Sequence, residues 1–538
     1  MHKGLSRHWL RGTRRAVLLS LAVSMAALGA STFGARAEDR PLVIARDMDI
    51  NSLDPQRSWC DTCQIYNTSV YEQLTTLDKD LKLVPLLAES WTSNGDQTEF
   101  TFKLNPAAKF SDGSAVEAKD VKWSFERMKN LKGNASFLAD SIASVEAPDA
   151  QTVIIKLNMS NSEFPQVVAA PMMAILNSDV LVAQGALADE TAAEKDGAEP
   201  WLLANSAGSG PFVLDKYEPN AELRLKRNDG YWGAKAPAPA VIFQQVKDAV
   251  AQAQLLQSGS VDIAMQIDPD TAKTLEGSKV KIERVPSFNF VYVALAPGAK
   301  GTTIKMSPQV REAISIAIDR QGLIDVTLGG AGRPMATPIP LGFPGSNGHE
   351  IPPYDPERAK ALLAEAGLAD GFTLDATYPD MNAYGVDFNL MIQKIQQDLS
   401  KVGIKLELSP VPFANWREKA NGEGIPLTVV FYAPDFFGTS QYVDYFGLSE
   451  GSVWAKRAGG ANDPSIINTK ITEIRNAALA APTPEEAEKL WFQAGQMMAQ
   501  DRIIIPMVSP ELILAYGENV KGVRYSACCN LPLSEISY

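Results

Sequence analysis

Histidine is nearly absent from this chain. There are three in 538 residues, and His2 and His8 fall in an N-terminal stretch that reads as a removable export signal. Only His349 remains, in the loop Gly345-Ser346-Asn347-Gly348-His349, and it reads as a surface residue. Zinc sites built on two or more histidines are thereby excluded. No Gly-x-Ser-x-Gly elbow and no phosphate-cradling Gly-x4-Gly-Lys-Ser/Thr loop occurs. Positive charge is short too: 50 Lys and Arg face 63 Asp and Glu, a net charge of −13. Six of those cations (Lys3, Arg7, Arg11, Arg14, Arg15 and Arg36) belong to the export segment, so the remainder is more acidic still. Such a surface repels nucleic acid and anionic membranes. Long apolar runs are missing after residue 30, so no bilayer-spanning helix is expected.

The first 37 residues carry the parts of a signal peptide. A basic start is followed by an apolar stretch from Ala16 to Ala30, and Ala35-Arg36-Ala37 is a small-x-small cleavage site. Thr13-Arg14-Arg15 loosely resembles a twin-arginine signal; the general secretory route is the expected one. The first cysteine is Cys60, well past that cleavage site, so no lipidated terminus is expected. These features predict a soluble periplasmic protein, and the remaining length suffices for two to four domains at roughly 150 residues each.

Four cysteines form two close pairs, Cys60/Cys63 and Cys528/Cys529. Export makes disulfides the default, with three connectivities open. A vicinal Cys528–Cys529 bond needs a strained ring. The favoured expectation therefore joins each member of one pair to a member of the other. A Cys-x-x-Cys metal site completed by Cys528 and Cys529 is the alternative.

The most informative stretch runs from Asn205 to Ile263. Gly208-Ser209-Gly210-Pro211 is a turn, and Phe212-Val213-Leu214 starts a strand. Leu223 and Leu225 alternate with Arg224 and Lys226, the period of a half-buried strand. Arg227-Asn228-Asp229-Gly230-Tyr231-Trp232-Gly233 closes it. A helix over Ala249–Gln257 then leads to Val261-Asp262-Ile263. Gly-x-Gly-Pro-Phe, Arg-Asn-x-x-Tyr-Trp-Gly and Leu-Gln-Ser-Gly-x-Val-Asp-Ile at these separations resemble the extracytoplasmic solute-binding proteins, family 5, of peptide, nickel and opine ABC importers. Ser52-Leu53-Asp54-Pro55, Val70-Tyr71-Glu72-Gln73-Leu74, Asp112-Gly113 before the helix with Val121, Phe125 and Met128, and Arg311-Glu312-Ala313-Ile314 extend the likeness along the chain. In that helix Trp123 and Arg127 lie on other faces.

The resemblance implies an α/β, two-lobed periplasmic binding protein of type II, of the large cluster with an extra satellite domain and hinge-linked lobes around a central cleft. The implied organisation is a signal peptide over 1–37, lobe I from 38–75 with 206–288 and 509–538, a satellite domain over 76–205, and lobe II over 289–508. Residues 183–207 read as a solvated linker returning from the satellite. Pro286 to Val293 reads as one crossover strand between lobes. In lobe II the residues themselves predict a βαβαβ run: a strand over Phe372–Tyr378, a helix to about Val402, a strand from Ile404, a short helix with Trp416, and a strand over Leu427–Tyr432. A last helix begins at Thr483-Pro484. Ile503–Ile505 and Leu512–Leu514 return the chain to the first lobe.

Ligands of open α/β sheets sit outside the carboxyl ends of strands, which directs attention to Ala433-Pro434-Asp435 after Tyr432. The resemblance implies that Asp435 pairs with a ligand ammonium and that Tyr432 lines the pocket. It also implies an arginine after Tyr378 to grip a ligand carboxylate, and this chain reads Pro379-Asp380-Met381-Asn382-Ala383-Tyr384 there. Tyr384, Asn289 and Phe436 are further candidates. Trp454 with Arg457 is the preferred pair from the aromatic cluster Phe436, Phe437, Tyr442, Tyr445, Phe446 and Trp454; Trp59 and Tyr66 approach from the first lobe. No catalytic residue, metal or cofactor is expected. The function expected is capture of a peptide or peptide-like solute for an inner-membrane ABC permease by a monomeric protein that is not an enzyme, with an opine-like, glycoside or oligosaccharide ligand as alternative. An exported carboxylate-dependent hydrolase is the remaining alternative.

Overall fold

One strand of 14 residues, Ile504–Gly517, joins the two halves of a 12-stranded sheet. The computed structural model describes residues 40–526 and 530–538; the export signal and the Cys528/Cys529 pair lie outside them. The first part of the long strand pairs antiparallel with Phe290–Leu295, Val293 opposite Ile505. Its second part pairs with Val280–Pro286, from Pro286 opposite Glu511 to Val280 opposite Gly517. The two apolar returns expected around 503–505 and 512–514 are therefore one strand. Pro506 and Pro510 disguise it in the sequence, because proline usually breaks a ladder. The ladder tolerates Pro506 through a register shift at Val291/Tyr292.

On one side of this strand, Leu42–Arg46 runs parallel to Ala240–Gln245 and to Ile263–Ala264. Glu222–Arg227 and Phe212–Glu218 then continue the sheet antiparallel. On the other side, Phe290–Leu295 pairs with Leu427–Tyr432, and the parallel set Leu427–Tyr432, Phe372–Pro379 and Ile404–Val411 follows. Each side has its own buried clusters. A separate four-stranded antiparallel sheet, Ala88–Ser93, Glu99–Leu104, Thr152–Leu157 and Ile142–Asp149, packs on helix Ala118–Leu131 around a cluster of its own. This is the two-lobed α/β architecture with a satellite.

The family motifs meet far from their places in the chain. Glu72 is buried, and its carboxylate accepts from Tyr231 Oη at 2.6 Å and Trp232 Nε1 at 2.8 Å. Burial pushes its carboxyl up to about 7 against those hydrogen bonds. Asn228 Nδ2 donates to Gly210 O at 3.0 Å. A Cβ on Gly208 would lie 2.1 Å from Val70 O, and one on Gly210 would lie 2.6 Å from Ser69 O. The Gly-x-Gly spacing thus lets this turn pass against the helix Asp61–Val70.

Several expectations are corrected. Arg127, off the apolar stripe as expected, is nonetheless fully buried: Nη2 meets Asp54 Oδ2 at 2.6 Å and Nε meets Asp196 Oδ2 at 2.8 Å, with neither carboxylate exposed. Residues 183–207 are not a solvated linker. They contain short helices Ala192–Lys195 and Glu199–Leu202, bury Ala186, Ala192, Ala198 and Leu202, and supply Asp196 to Arg127. The crossover at 286–293 is broken into two strands, and Ser287 Oγ donates to Pro510 O while Ser509 Oγ donates to Ser287 O. His349 is half-buried and stacked on Phe492, with centroids 4.3 Å apart. Cys60 and Cys63 are bonded to each other, which overturns both the cross-pairing and the four-cysteine metal site. The three-residue separation suffices because the bond closes across the first turn of the helix, where Cys60 is the N-cap.

Candidate functional site

Two loops from opposite lobes converge. Trp59 stands just before helix Asp61–Val70, its backbone N–H held by Asn51 Oδ1 at 2.9 Å. Asp435 follows strand Leu427–Tyr432, whose core-facing residues place its end at the inter-lobe face. Trp59 Nε1 donates to Asp435 Oδ1 at 2.8 Å. The backbone N–H of Asp435 donates to Gln441 Oε1 at 2.8 Å, and Gln441 Nε2 donates to Phe436 O and, at 2.9 Å, to Gly438 O. Tyr432 Oη approaches Asp435 Oδ2 at 3.5 Å.

Among the described residues no Lys or Arg forms an ion pair with Asp435. Burial pushes its carboxyl up to about 6, opposed by the hydrogen bonds from Trp59 and Tyr432. Asp61 is likewise pushed up to about 6 by burial and by Asp49, with Arg46 acting against both. Tyr384 faces this acidic side: its hydroxyl is held well above its usual range by burial, then by Asp61, Asp49, Tyr525 and Asp435. Tyr384 sits in a two-residue turn with φ of 54° beside Gly385 at 85°, and its ring meets Phe431 edge-on at 5.5 Å. The arrangement offers buried negative charge and aromatic walls to an amine-bearing solute, because a desolvated carboxylate is stabilised by an opposite charge.

The other candidates are placed differently. Tyr66 is wholly buried in the first lobe, edge-on to Tyr71 at 6.1 Å, and does not reach the facing lobe's loop. Trp454 and Arg457 are interior. Arg457 donates to Asn421 Oδ1 and Tyr445 Oη, both at 2.9 Å, and its guanidinium lies over Trp416, Trp454 and Tyr445. It therefore braces Tyr445, which packs on Tyr432 at 4.9 Å. Phe436 packs against the satellite's cluster. Asn289 is buried between the strands Val280–Pro286 and Phe290–Leu295. Gln441, Asp61 and Asp49, which meet at this candidate site, were not legible in the sequence, since nothing in their local pattern distinguishes them from other polar positions.

Residues 82–454 match the family described as bacterial extracellular solute-binding proteins, family 5, middle region. The chain belongs to this family. It is a solute-binding protein of the kind that serves ABC importers. Its relatives include the glutathione-binding protein GsiB of Escherichia coli (strain K12), 28% identical over 528 residues that cover 95% of this chain and 96% of the relative. The same protein from Shigella flexneri is 28% identical over 528 residues, covering 95% and 96%. Among solved structures, NikA from Brucella suis in complex with Fe(III)-EDTA superposes with a TM-score of 0.79 at 21% identity, covering 93% of this chain and all of that one. The binding protein AgaA from A. tumefaciens R10 with agropinic acid gives 0.76 at 24%, covering 93% and 98%. Among the described residues of this solute-binding protein, no helix is long and apolar enough to cross a membrane.

Proposed function

We propose that this protein is the periplasmic, non-enzymatic receptor of an ABC importer, and that its ligand is a peptide or peptide-like solute bearing a free ammonium group. The single observation behind the ligand reading is Asp435: a buried carboxylate beside the opposite lobe, hydrogen-bonded by Trp59 and lacking a cationic partner among the described residues. A ligand ammonium supplies the missing charge. The name of the GsiB relatives points to the same class, a small peptide with a free amino group. The segment after strand Phe372–Pro379 brings Tyr384 and no arginine, so a free dipeptide held by both termini fits poorly. The lobe and satellite boundaries given above belong to this reading, with a monomer closing on one solute and presenting it to an inner-membrane permease.

Thermal melts and calorimetry of the mature protein against glutathione, di- to pentapeptides, opines and oligosaccharides test this. A ligand at 100 times its Kd adds about 2.7 kcal/mol to stability, a readable shift in Tm. The expected result is a shift with an amine-bearing peptide that Asp435→Asn abolishes. A shift confined to sugars overturns the peptide reading.

A further inference from the structure

Glu163 belongs to the satellite, in the turn before the helical residues Phe164–Val167, yet its carboxylate is spent on the opposite lobe. Oε1 accepts the backbone N–H of Thr439 at 2.9 Å, and Oε2 accepts that of Ser440 at 2.9 Å. The residue is 8% exposed. Burial and, to a smaller extent, the nearby Asp444 push its carboxyl up, and the Ser440 hydroxyl and the two amides pull it back. Asp444 is itself tied to Arg475 by bonds of 2.8 and 2.9 Å, and Arg475 Nη1 lies 3.0 Å from Met159 Sδ on the satellite. The seam is close elsewhere too. Ser162 N donates to Leu479 O at 2.9 Å, Phe436 packs into the satellite's cluster, and a Cβ on Gly438 would lie 2.6 Å from Glu163 Oε2.

The satellite is fixed to the first lobe. Ile175 N donates to Glu72 O and Asn177 N to Ala207 O, both at 2.9 Å, and Arg127 joins Asp54 to Asp196. Glu163 therefore links the first lobe, through the satellite, to Thr439 and Ser440 of the second. The residue after Ser440 is Gln441, whose amide holds the backbone of Asp435, Phe436 and Gly438.

We infer that Glu163 is a positioning residue for the ligand site: it reaches across from the satellite and fixes, through Thr439, Ser440 and Gln441, the loop that carries Asp435. This rests on the reading of Asp435 as the ligand's carboxylate partner. Two backbone donors require two acceptor oxygens, which a carboxylate offers and a glutamine amide does not. Glu163→Gln sets an NH2 against an N–H, so it is expected to fail like Glu163→Ala rather than rescue.

The test uses the full mature chain, with amide hydrogen exchange over residues 433–447 and glutathione as the probe ligand. Both Glu163 variants are expected to speed exchange at Thr439, Ser440 and Asp435 by about tenfold or more, the loss expected when a charge-assisted hydrogen bond is removed. Glutathione affinity should fall, and the pH at which affinity is half lost should move down from about 6 as Asp435 gains access to water. Gly438→Ala, which leaves Glu163 in place but wedges its contact, should act in the same direction and covers the case of a Glu163 variant that does not fold. Unchanged exchange at Asp435 overturns the inference, as does faster exchange with unchanged glutathione affinity and midpoint. If the parental protein does not bind glutathione, exchange at Asp435 alone decides: faster in Glu163→Gln supports the inference, unchanged overturns it. Asp435→Asn separates the two readings, since it should weaken binding while leaving Thr439 and Ser440 protected.

Discussion

The indole N–H of Trp59 meets Asp435 Oδ1 at 2.8 Å, joining residues 376 positions apart and on opposite lobes. Trp59 remains 39% exposed while its partner is buried, so the bond closes one wall of the cleft without sealing it. A hydrogen bond to an ionised group contributes about 1.5–3 kcal/mol. Trp59→Phe keeps the ring and removes the donor. Affinity for an amine-bearing ligand should fall by roughly tenfold or more, measured by calorimetry.

Acidification should weaken amine binding in a defined window. Asp435 has its carboxyl raised to about 6 in the free protein, and an ammonium ligand needs the ionised form. Affinity is expected to be flat above pH 7 and to drop by about tenfold per pH unit well below 6. Asp435→Asn should remove that dependence along with most of the affinity. Titration calorimetry between pH 5 and 8 checks both.

Stability without ligand should run the other way. Asp61, Asp435 and Glu72 are raised to about 6, 6 and 7, so the folded chain holds protons that the unfolded chain has already released. Their contribution is present at low pH and is lost as pH rises through these values. Tm is therefore expected to fall between about pH 4 and about pH 7, from the ordinary carboxyl range up to these raised values, and to level off above it. Glu72→Gln, which cannot ionise, should flatten the upper part of that slope.

Arg127→Ala removes the closer of two cations shared by the buried carboxylates of Asp54 and Asp196, leaving Arg57 at 3.5 and 3.3 Å from them. Loss of one partner from a buried pair costs about 3–5 kcal/mol. Denaturant unfolding should show that loss, and residues 183–207 should become the first site of limited proteolysis, because Asp196 anchors them.

Peptide mapping under non-reducing conditions should recover Cys60 linked to Cys63. Reduction is expected to loosen the first turn of helix Asp61–Val70, where Cys60 caps the Cys63 amide at 3.0 Å, and so to weaken the placement of Trp59.

Local pattern carried much of the second lobe. Phe372–Pro379, Phe388–Ser400, Ile404–Val411 and Leu427–Tyr432 follow from apolar periodicity, with Gly403, at a φ of 84°, between the helix and the next strand. The burial of Arg127 was not legible because periodicity reads only the apolar stripe of a helix, and a second face buried in ion pairs looks like a solvent face. Residues 183–207 misled for the same reason: alanine and acidic residues read as solvated until Arg127 is seen beneath them. Asp435 could be singled out as a candidate because it follows a buried strand, whereas the interior position of Trp454 and Arg457 depends on packing that their local pattern does not show.

By itself the sequence determined the family and much of the order of strands and helices, because these depend on composition, spacing and short-range chemistry. Only the tertiary structure decided that Trp59 meets Asp435, that Glu163 crosses from the satellite to Thr439 and Ser440, and that Cys60 bonds Cys63. Contacts between residues hundreds of positions apart depend on how lobes pack, and whether a carboxylate is desolvated or paired depends on what the other lobe brings to it. That difference is what turns one aspartate among many into a candidate ligand site.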